Sequence, residues 1–542
     1  MKLCRKKYHR NGKDTLRQVN TGCRFAPVFL VIWLFSFFSA GAQTIFQTSF
    51  SNGFYLCGND IQQKNGWYYI GGTAKDALSS GFFLMKTDNY GDSVWTREFY
   101  GALPLEGKKI ILQGNFIYLA GNCNPNMASS RGFIAKVTTG GVVLWSKTFG
   151  SAGPCEINDI LLRDDSTLVL TGSVSGTGSG GKDILVAVFD TSGSFRWAKA
   201  YGKTGNESGS AVVAGSGTGL YLTGNTDYND PEGDIFILEL SADGLVQWCK
   251  NYDILHNGFS GQNAYDLMNS AGGNLVVSGN TKVYEFSPTD QIWNPLVIKT
   301  NETGNVVYAK EYELNSGGGA AYQVMETDDG EMAFTGYMRI SFGLLVKTDQ
   351  VGATSWSKVY GFDPSGIAYL NQAKAFVQHG SSYVMTGYIE TQSDTALYLV
   401  KANQMGVSGC LESEPASHAN PTTENPAVSD LVLNVTPVVP DISIFPVTCF
   451  SPALSVNSYC ETPTGYPQPA AMQGVYPNPV KDFLHLTGLS QPSGYRLYDI
   501  HGNLVGSGHE TRIDFRPYEA GIYFLTAYDH GTCYTYKIIR LN

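Results

Sequence analysis

The chain has 542 residues, with 62 glycines, 32 tyrosines and 28 phenylalanines, and it is too long for one ordinary hydrophobic core. Its formal net charge is −10, and removal of residues 1–42 leaves 29 basic against 46 acidic residues. Such a chain repels phosphate backbones, which excludes nucleic acid as a partner. No C-x-x-C pair occurs among the ten cysteines, which argues against zinc and thioredoxin-like sites.

Residues 1–42 have the pattern of a signal peptide. Eight lysines and arginines precede the apolar run Ala26 to Phe38, and Ala40-Gly41-Ala42 forms an A-x-A cleavage site. The apolar run is shorter than the roughly 20 residues that span a membrane, so cleavage is preferred to membrane anchoring. We therefore expect an exported protein in which some of the remaining cysteines form disulfides.

A pattern of roughly 50 residues recurs seven times between Phe46 and Cys410. Each copy has a strand that ends in glycine and, later, a glycine followed four residues on by a large side chain. The strand-ending glycines are Gly72, Gly121, Gly172, Gly224, Gly279, Gly336 and Gly387. The later pairs are Gly91/Trp95, Gly141/Trp145, Gly193/Trp197, Gly244/Trp248, Gly304/Tyr308, Gly352/Trp356 and Gly406/Cys410. This pattern predicts an all-β fold, a seven-bladed β-propeller over residues 43–410.

The fourth repeat indicates how a blade is built, with four strands joined by short turns. Its last three strands are predicted at Leu220–Gly224, Asp234–Leu240 and Val246–Tyr252. The seventh repeat lacks its fourth strand, but IFQTSF at residues 45–50 matches VWTREF at residues 94–99, which places Phe46 in the tryptophan position. We therefore expect the N-terminal strand to close the last blade and leave no free edge.

The predicted ligand-binding surface lies on the face with variable loops. The loop at residues 280–294 is the longest, and it carries Tyr284, Phe286 and Trp293 outside the strand repeat. Exposed aromatic rings on a rigid scaffold can stack on flat ligands. The alternative is that these rings pack onto neighbouring loops.

A second loop carries a dense set of oxygen ligands. Asp227, Asn229, Asp230 and Asp234 lie within eight residues and are candidate Ca²⁺ ligands. Their spacing is not that of an EF-hand, and Asp183 begins the equivalent strand one repeat earlier. A solvated loop is the preferred interpretation, and neither a metal nor a cofactor is predicted.

One disulfide is predicted from loop positions. Cys123 lies in a loop of the second repeat, and Cys155 lies in the loop leading into the third. Both loops are expected on the same face of adjacent blades, so the two Cα atoms can come within bonding range.

Two further regions follow the repeats. Residues 411–474 are rich in proline, serine and threonine, which predicts an extended connector. Residues 475–542 contain several short apolar strands separated by turns, which predicts a small C-terminal β-sandwich.

The motifs of the last region occur in a recognisable order. They are YPNP, Leu-x-Leu, L-Y-D-x-x-G, A-G-I-Y-F and a final basic-apolar strand. The region resembles the type A C-terminal sorting domain of the type IX (Por) secretion system of Bacteroidetes-type bacteria. The match falls on Pro477, Asn478, Pro479, Asp499, Gly502, Gly521, Tyr523 and Lys537.

This resemblance implies a route and two partners. The protein would pass through the periplasm and the outer membrane, with the secretion machinery and a sortase-like peptidase as partners. It would end on the cell surface or in the medium, and contact with the membrane would come only through surface attachment.

No catalytic motif accompanies the repeats. GTGSGGK at residues 176–182 lacks the helix that a phosphate-binding loop needs, and neither H-E-x-x-H nor G-x-S-x-G occurs. The favoured function is therefore a non-catalytic binding or adhesion module for a glycan or a matrix protein. The alternative is an extracellular propeller enzyme acting on polysaccharide, as a glycosidase or a lyase, with carboxylates brought together from distant loops.

Overall fold

The strands of the repeats follow one another as antiparallel sheets. The computed structural model describes residues 44–215, 217–228, 230–255, 261–284, 291–314, 318–338, 342–361, 371–391, 394–415, 420–459, 475–476, 480–486, 492–499, 504–529 and 532–541. These residues form β-strands and no helix, which confirms the all-β prediction. None of the described segments is a helix that could cross a membrane.

Strand β1 (Phe46–Ser51) precedes six groups of four antiparallel strands and one group of three. The first three groups are β2 (Tyr55–Lys64), β3 (Trp67–Lys75), β4 (Ser80–Thr87) and β5 (Ser93–Tyr100); β6 (Leu105–Gln113), β7 (Phe116–Cys123), β8 (Arg131–Thr138) and β9 (Val143–Gly150); and β10 (Cys155–Asp164), β11 (Thr167–Ser175), β12 (Lys182–Asp190) and β13 (Phe195–Gly202). The next three are β14 (Glu207–Ala214), β15 (Leu220–Thr226), β16 (Asp234–Leu240) and β17 (Val246–Asp253); β18 (Gln262–Ser270), β19 (Asn274–Tyr284), β20 (Gln291–Thr300) and β21 (Val306–Glu313); and β22 (Gly319–Glu326), β23 (Met332–Met338), β24 (Phe342–Thr348) and β25 (Thr354–Tyr360). The last group is β26 (Asn371–His379), β27 (Ser382–Glu390) and β28 (Thr395–Ala402).

The first strand of the chain supplies the fourth strand of the last group. Strand β1 pairs antiparallel with β28, and Phe46 lies opposite Lys401. Phe46 is 7% exposed, and a methyl group built on Gly91 would meet its ring. The large side chain of each of the first six repeats, a tryptophan in five of them and Tyr308 in the fifth, lies against the repeat glycine that follows it, as Trp145 lies against Gly193. Phe46 thus occupies the predicted tryptophan position.

The glycine before each large side chain has a positive φ angle, a backbone conformation that other residues adopt only with strain. The seven repeat glycines have φ angles between 73° and 85°. The repeat tryptophans that follow are half-buried, whereas the tyrosine four residues after several of them is almost fully buried. Tyr201 and Tyr252 each donate a hydrogen bond from Oη to the carbonyl of the next repeat glycine, at 2.9 Å and 2.7 Å. Tyrosine therefore contributes more to the contact between neighbouring sheets than the tryptophan pattern predicts.

The predicted connector adds a fifth strand to every group. Its strands are β29 (Glu412–Ser413), β30 (Asn420–Glu424), β31 (Ala427–Asp430), β32 (Asn434–Pro437), β33 (Asp441–Ile444), β34 (Thr448–Phe450) and β35 (Ser455–Ser458). They pair in turn with β25, β21, β17, β13, β9, β5 and β1. The chain thus runs back past the groups in reverse order and covers the outer strand of each. We call β29–β35 and the turns between them the belt.

The two ends of the belt meet at one residue of β1. Gln47 donates from Nε2 to Ser408 Oγ at 2.6 Å and also to the carbonyl of Cys410. The carbonyl of Gln47 accepts the amide of Tyr459 at 2.9 Å. Cys410 is disulfide-bonded. The residues just before and just after the belt are therefore both held at β1.

The C-terminal region forms two small sheets. One contains β36 (Val475–Tyr476), β37 (Phe483–Leu486) and β40 (Arg512–Asp514); the other contains β38 (Pro492–Tyr498), β39 (Leu504–Gly508), β41 (Gly521–Asp529) and β42 (Thr532–Arg540). Side chains of both sheets share one buried cluster, which includes Leu484, Ile513, Leu497 and Leu525. Two sheets packed on one core agree with the predicted β-sandwich.

The predicted disulfide between Cys123 and Cys155 is not formed. Both cysteines are free thiols. Cys123 packs in a cluster with Phe82 and Leu105, whereas Cys155 packs with residues of the third group such as Leu185. The two thiols thus lie in different clusters on opposite sides of the β6–β9 sheet, and proximity of their loops does not bring the sulfur atoms together.

Candidate functional site

Each group begins with a strand that carries a one-residue β-bulge. The register of β2 with β3 shifts at Asn59, and β6, β10, β14, β18, β22 and β26 shift at the equivalent point. The bulged residues are Asn59, Lys108, Asn158, Ser210, Tyr265, Tyr322 and Lys374. A bulge re-aims a side chain out of the pleat, and bulges are common beside functional sites.

Six of these seven side chains line one cavity of about 600 Å³, and Ser210 is the exception. The cavity therefore lies between the first strands of several groups, and we call it the inner-strand cavity. Its lining includes four lysines, four tyrosines and two glutamates: Lys75, Lys108, Lys109, Lys374, Tyr55, Tyr265, Tyr322, Tyr388, Glu106 and Glu390. Its volume lies within the range of small-molecule sites, and its four tyrosines contribute aromatic surface to the lining.

The lysines of this cavity have different partners. Lys108 Nζ forms a salt bridge with Glu106 at 2.7 Å. Lys374 Nζ donates to the amide oxygen of Gln372 at 2.6 Å and lies 3.9 Å from the centre of the Tyr322 ring. No carboxylate of the described residues forms a salt bridge with Lys374. Its ammonium is therefore left without an acidic partner in the cavity wall.

Burial shifts the pKa values of several side chains that line the cavity. It lowers the pKa of Lys374 to about 8, and the nearby Lys108 charge acts in the same direction. Burial also raises the pKa values of Tyr265 and Tyr388 to about 12. At neutral pH the cavity thus holds a cationic Lys374 and neutral tyrosines, with Tyr265 packed edge-on against Tyr322 at 5.1 Å between ring centres.

A buried charge cluster lies beside the cavity. Lys109 Nζ is 3.9 Å from Asp60 Oδ1, and the charges of Asp60, Asp266 and Asp159 outweigh burial and raise the lysine pKa. Each aspartate also accepts a backbone amide from a first strand of another group, as Asp60 does from Ile110 at 2.9 Å and Asp159 from Val212 at 2.8 Å. Burial raises the pKa of Asp159 to about 7, although Lys109 opposes this. The cluster ties the first strands together.

Of the three predicted aromatic residues, Trp293 can be placed, and it does not line this cavity. The predicted loop at residues 280–294 is mostly paired strand, because β19 continues to Tyr284 and β20 begins at Gln291. Trp293 is half-buried and lies opposite Lys282. Phe286 and the Tyr284 side chain lie outside the described residues. A binding role for these three residues remains a prediction.

Among the predicted Ca²⁺ ligands, Asp227 does not belong to the carboxylate cluster that holds Asp230 and Asp234. Asp227 accepts the backbone amide of Asn206 and, at 2.7 Å, its side-chain amide. Asp230 and Asp234 lie together beside Asp253, which the sequence reasoning missed. Asn229 lies outside the described residues.

Part of the predicted sorting motif is visible in the C-terminal sandwich. Tyr523 is buried, packs on Phe515 and donates to the carbonyl of Glu519 at 2.8 Å. Asp499 follows β38 and Gly521 begins β41. Pro477, Asn478, Pro479 and Gly502 lie outside the described residues, as does the side chain of Lys537 in β42.

The bulged residues are the ones that sequence reasoning missed. Each stands 13 or 14 residues before the strand-ending glycine of its repeat, as Lys108 does before Gly121 and Tyr322 does before Gly336. Alignment of the repeats at those glycines would have placed lysine, tyrosine and asparagine in two adjacent columns. Such polar variety within a buried strand indicates a lining rather than a core.

Solved structures with low similarity to this chain include two carbohydrate-active proteins. An ulvan lyase of a polysaccharide lyase family has 10% identity and a TM-score of 0.44, with 68% of this chain and 96% of that chain covered. A sialidase from Trypanosoma rangeli has 11% identity and a TM-score of 0.34, with 64% and 55% covered. Similarity at this level carries no information on activity. No curated protein sequence matches the chain.

The C-terminal sandwich does match a known family. Residues 474–540 match the family model described as a secretion system C-terminal sorting domain. The match agrees with the motifs of the last region and implies export to the cell surface or the medium. The C-terminal region of this chain is therefore a sorting domain of the type IX secretion system.

Proposed function

We propose that this protein is a seven-bladed β-propeller that is displayed or released at the cell surface and binds an anionic saccharide in its inner-strand cavity. On this proposal the chain passes through the periplasm before the type IX machinery exports it. The seven groups of strands are the blades, and β1 closes the last blade. The observation that carries the binding proposal is the half-buried Lys374 without an acidic partner.

Closure by β1 predicts a large effect at Phe46. Phe46→Ala should lower the free energy of unfolding by about 3–5 kcal/mol, because the ring is almost fully buried between the last and first groups. Val94 immediately precedes Trp95, the residue of β5 that corresponds to Phe46, and its side chain is 50% exposed. Val94→Ala therefore serves as the control and should change the free energy of unfolding little. Denaturant unfolding measures both, and a Phe46→Ala midpoint equal to that of the wild type contradicts closure by β1.

The cavity wall suits a sugar ring that carries a carboxylate or sulfate. The tyrosine rings provide flat apolar faces, and their hydroxyl groups remain neutral donors and acceptors. The Lys374 ammonium, held by Gln372 and the face of Tyr322, provides the charge for an anionic substituent. This local cation contrasts with the acidic chain as a whole, which would repel a polyanion elsewhere.

Binding is tested with uronate-bearing, sulfated and neutral oligosaccharides by titration calorimetry. We expect an anionic ligand to bind, with an affinity that falls as salt is added. Lys374→Met should weaken binding about 10- to 100-fold, since a hydrogen bond to a charged group contributes about 1.5–3 kcal/mol. Lys310→Met is the control, because that lysine lies on β21 and contacts Thr423 of the belt.

Two outcomes contradict the binding proposal. One is that none of the anionic oligosaccharides binds to the wild-type protein at low salt. The other is that Lys374→Met and Lys310→Met bind as tightly as the wild type. Both variants must first show an unchanged melting temperature, so that the comparison concerns folded protein.

Cleavage of the bound polysaccharide is a second candidate function. The pKa of Lys374, lowered to about 8, lies in the range that enzymes use for a lysine base. In its neutral form this base would take the proton from the carbon that bears the uronate carboxylate, and the glycosidic C–O bond at the adjacent carbon would break to leave a double bond between the two carbons. The Tyr322 hydroxyl would protonate the leaving oxygen. Shortening of the polymer by the wild type but not by Lys374→Met favours this function, and binding without shortening rejects it.

A further inference from the structure

Three carboxylates lie together at one end of the β14–β17 sheet. One carboxylate oxygen from each of Asp230, Asp234 and Asp253 lies within 4.8 Å of the others. Asp234 begins β16 and Asp253 ends the neighbouring β17, so strand pairing places them side by side. Asp230 comes from the turn before β16, where its Oδ1 accepts the amide of Glu232 at 2.8 Å.

Asp234 has an oxygen without a partner. The residue is only 1% exposed, and its Oδ2 accepts the side-chain amide of Asn251 at 2.7 Å. Its Oδ1 is buried and accepts no hydrogen bond from any residue that the structure describes, and the same is true of Asp253 Oδ1. A buried carboxylate oxygen without a donor is costly unless a cation binds it.

The negative charges of the three carboxylates are also not balanced by a lysine or arginine among the described residues. In the described part of the chain no salt bridge reaches the three carboxylates, and Lys282 pairs instead with Glu232 at 2.6 Å. Burial, with the charges of Asp253 and Asp230, raises the pKa of Asp234 to about 6. Mutual repulsion of this kind is what a bound divalent cation relieves.

A neighbouring sheet contains the same strand position without these features. Asp183 lies near the start of β12 as Asp234 does in β16, and its Oδ1 accepts the amide of Ser179 at 3.0 Å. The residue that corresponds to Asp253 is Gly202, at the end of β13. Glu207 lies close to Asp183, and its two oxygens accept the amide of Lys203 at 2.9 Å and the hydroxyl of Thr226 at 3.1 Å. The carboxylates around this position of the β10–β13 sheet are thus satisfied by protein donors, whereas Asp234 and Asp253 each keep a buried oxygen without a donor among the described residues.

We propose that Asp230, Asp234 and Asp253 form a Ca²⁺ site. The donor set contains only oxygen, and Ca²⁺ accepts six to eight oxygen ligands in irregular geometry, with water completing the shell. Mg²⁺ requires a stricter octahedron, and zinc prefers nitrogen and sulfur. Extracellular modules bind Ca²⁺ with dissociation constants of about 10⁻⁴–10⁻³ M, a range that fits three carboxylates on an exported protein.

The test is a Ca²⁺ titration of the chelator-treated full chain at constant ionic strength, by calorimetry and thermal melting. We expect one ion to bind and the melting temperature to rise with CaCl₂, and to rise less with MgCl₂. The variant Asp234→Asn/Asp253→Asn should lose both responses. Without Ca²⁺ this variant should melt at or above the wild-type temperature, because the repulsion among the three carboxylates is relieved. If the two aspartates served only to stabilise the fold, the variant would instead melt at a lower temperature.

A control and a second variant keep the test decisive. Asp328→Asn removes an exposed carboxylate of another sheet and should keep the full Ca²⁺ response. If the double variant does not fold, the single variant Asp253→Asn must weaken binding at least tenfold. The proposal is overturned if the wild type neither binds Ca²⁺ nor shifts its melting temperature at 10 mM CaCl₂, by order of magnitude a saturating concentration. An equal response to MgCl₂, or a full response of the Asp253→Asn variant, overturns it as well.

Discussion

A chain that ends at residue 410 is expected to be far less stable than a chain that ends at residue 474, although both lack the sorting domain. The shorter chain loses the belt, and with it the buried side chains of Leu431, Leu433 and Val438. Burial of three such side chains alone contributes roughly 5 kcal/mol or more to the free energy of unfolding. The outer strand of each group also becomes an open edge, and open edges favour aggregation.

Both truncated chains are recovered from the periplasm, where the proposed route leaves a protein without its sorting domain. Thermal melting and light scattering then compare them. We expect the longer chain to melt like the full-length protein and to stay monomeric, and the shorter chain to melt at a much lower temperature or to aggregate. Equal melting temperatures and equal solubility would show that the belt is a passive connector.

Replacement of Lys109 is expected to have the second large effect. Lys109→Met leaves the buried Asp60, Asp159 and Asp266 without their cation, and loss of one partner from a buried ion cluster costs about 3 kcal/mol. The adjacent Lys108→Met is the matched control. Its salt bridge to Glu106 joins two side chains that are 31% and 30% exposed, so its loss should cost less than about 1 kcal/mol.

The effect of Lys109→Met should depend on pH in a defined direction. The pKa of the Asp159 carboxyl is about 7 in the folded chain against 3.8 for a free carboxyl, so folding favours its protonated form. The protonated Asp159 carboxyl makes its full contribution to the free energy of unfolding below about pH 4, and this contribution is lost as the pH rises through about 7. Without Lys109 the pKa rises further. Urea unfolding should therefore show a larger deficit of the variant at pH 8 than at pH 5, and an equal deficit at both contradicts the charge cluster.

The repeat made much of the fold predictable, because its rules are local. A glycine with positive φ before each large side chain follows from backbone sterics, and the strand Asp234–Leu240 was predicted with the bounds that the structure has. The role of Phe46 followed from matching two hexapeptides of the same pattern. The general composition of the connector indicated extended backbone, but composition does not reveal which edge an extended segment pairs with.

The candidate sites were harder to predict, because they depend on register and on strand pairing. Lys374 and Tyr322 reach the cavity through bulges, and a bulge is a property of two paired strands rather than of one sequence. Asp253 is 19 residues beyond Asp234 and joins it only because β17 pairs with β16. Cys123 and Cys155 illustrate the reverse error, since nearby loops do not determine which side of a sheet each side chain occupies.

A crystal structure of the chain to residue 474 with a bound anionic oligosaccharide tests the central proposal most directly. The proposal predicts the sugar in the inner-strand cavity, with its carboxylate or sulfate at Lys374 Nζ and a ring face on Tyr322. A saccharide bound at the hairpin that carries Tyr284 and Trp293, with the inner-strand cavity free of ligand, would contradict it.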